Sequence, residues 1–216
     1  MINIKQQFLP SPSQRRSGLK LDKVLYLVLH DTGNIGSTAR GNANYYNQSA
    51  YEQQASAHFF VDDKEIIQVI PTNEKAWHVR YLVGIDKQMY GVSANDASLG
   101  IEFCYGGAIG SQASYNNYVD LISTLCKQFN LDPKTKLTAH ATLDPERRTD
   151  PITGLKYVNK TWKDLIQDID RIVNPPPPPE PPKTIDTPVN PVANCEKEKA
   201  IIQQLVQFIK NVLGWK

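Results

Sequence analysis

From Val24 to Leu29 every residue is apolar or aromatic, and the run ends on His30. A continuous stretch of this kind, bounded by Asp31-Thr32-Gly33, predicts a strand buried on both faces. A second short run, Lys136 to His140, also closes on an imidazole and predicts a short strand ending at His140. Residues 56–61 and 65–70 are β-rich and flank Asp62-Asp63-Lys64, which predicts a hairpin. Along Ser98–Cys104 the alternation puts Leu99, Ile101 and Phe103 on one face of a strand and Glu102 on the other. Elsewhere the period lengthens. Ala39, Ala43 and Tyr46 suggest a helix over 38–51, and Tyr118, Leu121, Ile122, Leu125 and Phe129 mark one face of another that Asp132-Pro133 stops. Trp162, Leu165, Ile166, Ile169 and Val173 repeat the spacing, preceded by Thr161 with Asp164 three residues on, the signature of a capping box. The first two dozen residues are polar and are expected to wrap the surface. Strands alternating with helices, plus one hairpin, predict an α/β fold: a mixed central β-sheet flanked by helices.

The pattern breaks at Asn174, which a run of prolines follows. Residues 174–191 read as a semi-rigid, extended spacer after a domain at 1–173. Residues 192–216 regain helical order, with Ile201, Ile202, Leu205, Val206, Phe208, Ile209, Val212 and Leu213 forming a stripe wider than the two-position seam of a dimeric coiled coil. A lone helix this short cannot bury such a face. It needs a partner: its own domain, further copies of the chain in a homo-oligomer, or a wall or membrane surface.

Composition narrows the function classes. Among 216 residues, 24 Lys and Arg nearly balance 22 Asp and Glu, for a formal net charge of +2, which excludes a strong nucleic-acid binder. No stretch approaches the roughly 20 apolar residues that a membrane-spanning helix needs. The N-terminal residues lack the apolar core of a signal peptide, so residence in a cytoplasm is expected. Cys104, Cys126 and Cys195 are odd in number and lack metal spacing, so they are expected to be thiols without a disulfide framework.

Two imidazoles that end rigid strands, His30 and His140, together with Asp150 in a charged loop, make a sensible three-ligand zinc set with a fourth position left for water. Asp144 and Glu146 compete with Asp150 for the carboxylate role.

The motifs Leu29-His30-Asp31-Thr32-Gly33, Ser56-Ala-His-Phe-Phe-Val-Asp-Asp, Ala76-Trp77-His78, Ser98-Leu-Gly-Ile-Glu102 and Ala139-His140 with Arg148-Thr-Asp150-Pro resemble the zinc-dependent N-acetylmuramoyl-L-alanine amidases. That family includes phage endolysins and is related to the peptidoglycan recognition proteins. The likeness covers about residues 1–173 and leaves out the proline spacer and the C-terminal helix. It implies a zinc enzyme that cuts the amide between N-acetylmuramic acid and L-alanine of peptidoglycan, with His30, His140 and Asp150 as metal ligands and Glu102 as the catalytic glutamate. Members that lose the third ligand tend to bind peptidoglycan without cutting it, and its presence here favours catalysis. Arg148 stands where relatives commonly carry a lysine and is expected to serve the oxyanion, with Arg147 as the rival. Trp77 and His78 are expected to line the substrate groove, and His58 to be structural. Some relatives place a catalytic tyrosine where this chain has Ala57, which shifts the burden to Glu102. The absence of a signal peptide suits a phage or prophage endolysin that waits in the host cytoplasm until a holin opens the membrane. A non-hydrolytic peptidoglycan-binding module and a muropeptide-recycling amidase are the alternatives.

Overall fold

The computed structural model describes residues 3–177 and 198–208. They belong to two units that part at Pro176–Pro177. The first contains strands β1 (Ile4–Gln6), β2 (Tyr26–Asp31), β3 (Phe59–Val61), β4 (Ile66–Gln68), β5 (Ser98–Phe103) and β6 (Leu137–Ala139). Its helices are α1 (Ala39–Gln48), α2 (Ile85–Tyr90), α3 (Ala94–Ala97), α4 (Ser111–Phe129), α5 (Pro133–Lys136), α6 (His140–Leu143), α7 (Ile152–Leu155) and α8 (Trp162–Val173).

The strands form one sheet in the order β1-β4-β3-β5-β2-β6, parallel except for the β3–β4 hairpin. The expected mixed sheet flanked by helices is what the chain builds. Strand β2 lies between β5 and the edge strand β6, and all of its residues are buried, because it pairs with a strand on each side and carries apolar groups to both faces. On one face Leu27 and Leu29 join Leu99, Ile101 and Phe103 of β5 against Tyr118, Leu121 and Ile122 of α4 and Leu165 and Ile169 of α8. On the other face Tyr26 and Val28 pack with Ala94 and Ala97, while Phe60 and Ile67 pack with Ala39 and Ala43 of α1.

Helix α8 begins at the expected cap. The Thr161 hydroxyl accepts from Asp164 N–H, and the Asp164 carboxylate accepts from Thr161 N–H. Helix α4 starts earlier than its apolar stripe suggests, at Ser111.

Three expectations need correction. The N-terminal stretch does more than wrap the surface: β1 adds a parallel edge strand to β4, and Arg15 is fully buried, with its guanidinium donating to Ser49 and Ala55 and lying over the Tyr46 ring. Such a buried cation is tolerated because each guanidinium nitrogen finds an acceptor and the group stacks on an aromatic ring. The helix expected over 38–51 is α1 alone, capped by Thr38, whose hydroxyl accepts from Gly41 N–H. His140 does not end a strand. Strand β6 stops at Ala139, and His140 is the first residue of α6.

Cys104 and Cys126 are buried free thiols, as expected. In the second unit residues 198–208 are helical, and Ile201, Ile202, Leu205, Val206 and Phe208 are all exposed. Cys195, most of the proline spacer and the end of the apolar stripe lie outside the described residues.

Candidate metal centre

The parallel strands β6, β2 and β5 lie side by side and deliver three side chains to one rim of the sheet. Open α/β sheets bind ligands at the carboxyl ends of their strands, and His30, Glu102 and His140 all stand there. His30 and Glu102 are register partners on β2 and β5. Strand alternation sets both away from the Leu27–Leu29 and Ile101–Phe103 face, towards a cleft of about 480 Å³. Tyr118 steadies this rim from the opposite layer. Its hydroxyl lies 3.0 Å from the His30 carbonyl and 3.3 Å from that of Ile101, and its proton can serve either.

Asp150 reaches the same point from the loop after α6. The backbone N–H of Ala141 donates to its carbonyl, which ties the loop back to the helix that carries His140. One carboxylate oxygen, Oδ2, lies 3.0 Å from His30 Nδ1 and 2.9 Å from His140 Nδ1. His30, His140 and Asp150 each offer one ligand atom within 4.8 Å of the others. A tetrahedral metal with bonds of about 2.0–2.1 Å spaces its donors about 3.3 Å apart, close to the separations from Asp150. His140 Nε2 is buried and has no partner among the described residues. Donor type and spacing fit a divalent cation. The competitors are placed elsewhere: Asp144 pairs with Arg147 at 2.9 Å, and Glu146 is exposed.

Glu102 shares the cleft with the metal set. Its Oε2 is buried without a hydrogen-bond partner among the described residues. Burial pushes its carboxyl well above the ordinary range, and the charges of Asp150 and Asp31 add to the effect. A carboxyl so placed takes up a proton readily and is poised for acid–base work. Two cationic side chains stand on the loop before Asp150. Arg147 is committed to Asp144, whereas Arg148 is exposed, lines the cleft and has no ion pair among the described residues.

Trp77 and His78 line the cleft too. Both ring nitrogens of His78 face groups of the protein: Nδ1 lies 3.1 Å from His30 Nε2, and Nε2 lies 3.4 Å from Ser98 Oγ. His58 is completely buried and fully engaged. Its Nδ1 accepts from Gly100 N–H and its Nε2 donates to the Glu74 carbonyl. That matches the structural role expected of it. Sequence reading missed Tyr46 and Tyr105, which also line the cleft. The helical period marked Tyr46 only as a core position.

The buried imidazoles make stability sensitive to acid. Burial lowers His30 and His58 from an ordinary value of 6.5 to about 4, and it holds His78 well below that ordinary value. Between about 6.5 and 4 the unfolded chain therefore binds these protons and the fold does not, so acidification destabilises the fold. Each such group contributes up to about 1.4 kcal/mol per pH unit. Glu102 and Asp31, pushed up by burial, act with the opposite sign above the ordinary carboxylate range. Three groups oppose two. Urea midpoints of the metal-free protein are expected to fall steadily from pH 6.5 to 4.5, and a flat or rising profile would contradict neutral burial of these rings.

Comparison with known proteins gives the family and the fold of the first unit. The family model described as N-acetylmuramoyl-L-alanine amidase matches residues 20–153. The amidase CwlL of Bacillus licheniformis is 33% identical over 150 residues, which cover 65% of this chain and 40% of that protein. The chain thus spans well under half the length of this curated relative. Among solved structures, the catalytic domain of XlyA aligns with a TM-score of 0.64 at 30% identity, covering 78% of this chain and 99% of that one. A mutant endolysin from Bacillus subtilis gives 0.63, also at 30% identity, with 78% and 99% covered.

Proposed function

Because the chain belongs to the N-acetylmuramoyl-L-alanine amidase family, we propose that it is a zinc-dependent peptidoglycan hydrolase that cuts the amide between the lactyl group of N-acetylmuramic acid and L-alanine. The observation that carries this reading is the meeting of His30, His140 and Asp150 beside the partnerless carboxyl of Glu102. His30, His140 and Asp150 would hold the zinc, which when bound would polarise the scissile carbonyl and make a water acidic near neutral pH.

The protein's own groups do the rest. Glu102 takes the proton of the attacking water and returns it to the departing amine of L-alanine. Its buried setting suits the holding of that proton between the two steps. Arg148 sets a permanent positive charge where the carbonyl oxygen becomes negative. Its freedom from the ion pair that occupies Arg147 supports Arg148 for this role. Trp77 offers an apolar wall for the glycan or stem peptide. Beyond it a recess lined by Arg80, Tyr81 and Leu82 continues the groove.

The similarity to an endolysin structure supports action on a bacterial wall, and we propose that the protein waits in the host cytoplasm until a holin releases it. No helix among the described residues is long and apolar enough to cross a membrane.

Clearing of purified bacterial sacculi tests the reading. Wild type is expected to clear them, to stop when a chelator removes its metal, and to recover with about one equivalent of zinc per chain. Tight binding to sacculi without clearing by zinc-loaded protein would turn the reading towards a binding module.

A further inference from the structure

The contacts behind His30 carry an assignment of their own, which rests on the metal-site reading above. The Ser98 hydroxyl lies 2.7 Å from the Ala94 carbonyl and 3.4 Å from His78 Nε2. Its single proton goes to the nearer acceptor, the carbonyl. The Ser98 oxygen can then only accept from His78, which puts the His78 proton on Nε2 and leaves a lone pair on Nδ1. That lone pair faces His30 Nε2 at 3.1 Å. His30 must therefore donate from Nε2, and its Nδ1 is left bare, 3.0 Å from Asp150 Oδ2. A bare Nδ1 facing a carboxylate oxygen leaves two acceptors between which a cation can be held.

We propose that His78 is a positioning residue: through a directed chain from the Ala94 carbonyl by way of Ser98 and His78, it fixes His30 in the tautomer whose Nδ1 is free to bind metal. Outer partners of this kind orient metal-binding imidazoles and raise their affinity.

The surroundings hold the His78 ring for this task. Asn95 Oδ1 accepts from the backbone N–H groups of His78 and Val79, and Asn95 Nδ2 donates to the Val79 carbonyl. The ring itself lies against the backbone of β5 at Gly100. A methyl group on Gly100 would come within 2.7 Å of His78 Cγ. Any larger residue there would displace the ring, so the glycine of the Ser98-Leu-Gly-Ile-Glu102 motif makes room for it. Ser98, Gly100 and Glu102 share one face of the strand. Ser98 orients the relay, Gly100 admits it, and Glu102 faces the reaction it serves.

The test uses the full chain and zinc alone as probe. Nitrogen-15 NMR of the metal-free protein near neutral pH is expected to show His30 protonated on Nε2. Zinc affinity, read by competition with a chromophoric chelator, is expected to fall about 10- to 100-fold in His78→Leu. In His78→Asn, whose side-chain oxygen can accept where Nδ1 did, the loss is expected to shrink to a few-fold. Ser98→Ala, a milder change that keeps the His78 ring, is expected to lower affinity by a smaller factor and covers the case in which His78→Leu does not fold. A His30 proton on Nδ1 in wild type, or unchanged zinc affinity in a folded His78→Leu or, failing that, in Ser98→Ala, would overturn the proposal. These readouts need no hydrolysis. Normal zinc behaviour without wall cleavage would defeat the amidase reading alone, whereas cleavage with affinity indifferent to position 78 would defeat the relay alone.

Discussion

Glu102→Gln is expected to lower the turnover of peptidoglycan hydrolysis by about 10²- to 10⁴-fold, the usual worth of a positioned acid–base group. The substitution keeps the shape of the side chain and removes only its ability to take and return a proton. The fold should not suffer. Glu102 Oε2 is already buried without a partner among the described residues, and burial already favours its neutral form. The amide keeps the size and shape of the carboxyl in this buried place, so the fold is expected to persist. Zinc content should likewise stay at wild-type level, because Glu102 is not among the groups whose atoms converge. The measurement sets three readouts beside one another: turnover on purified wall, metal content, and urea midpoint. Turnover within a few-fold of wild type, with the other two unchanged, would remove Glu102 from the proton transfer and leave the cleft without an evident base.

The second large effect is expected from Asp150→Asn. A single oxygen of Asp150 faces both imidazoles, at 3.0 and 2.9 Å, and its carboxylate is the one anionic group in the three-ligand set. An amide retains the size but gives up the charge and one of the acceptor sites. Zinc affinity is expected to fall by more than the roughly 10- to 100-fold that loss of an outer partner brings, and activity at limiting zinc should fall with it. The metal-free fold is expected to persist, since Asp150 sits in a loop rather than in the core. Stoichiometric zinc at wild-type affinity in Asp150→Asn would show that the metal is held elsewhere. Together the two substitutions separate the roles: one removes chemistry and keeps metal, the other removes metal.

The parts of the fold that the sequence announced are those whose signal is local. The apolar run into His30 is an interior strand because it must be covered on both faces. Thr161 and Asp164 cap α8 as a reciprocal pair because their spacing alone determines that geometry. Other features depend on what packs where. Helices α2 and α3 went unread because they are too short to display a period. Helix α2 is bounded by Gly84 and Gly91, both in the left-handed region. His140 read as the end of a strand, yet the chain turns into α6 at that residue, since three residues of pairing with β2 exhaust the strand.

The site divides in the same way. His30, His140, Asp150 and Glu102 were recognisable as chemistry-bearing residues in motifs. That His30 stands opposite Glu102 follows only from the parallel register of β2 and β5, and no local pattern encodes register between strands so far apart in the chain. The choice between Arg147 and Arg148 rested on which one Asp144 engages, again a tertiary fact. His78 was legible as a groove residue, but its contact with His30 depends on the segment from Ala76 to Ala97 folding over the sheet and on Asn95 pinning it there.

Mass spectrometry of the products released from purified peptidoglycan by the zinc-loaded full chain identifies most directly the bond that is cut. Amidase action is expected to release stem peptides with a free L-alanine amino terminus and to leave glycan strands whose muramic acid keeps an intact lactyl carboxylate, with no new reducing ends. New reducing ends, or cleavage within the peptide while the muramic acid–alanine amide survives, would contradict it.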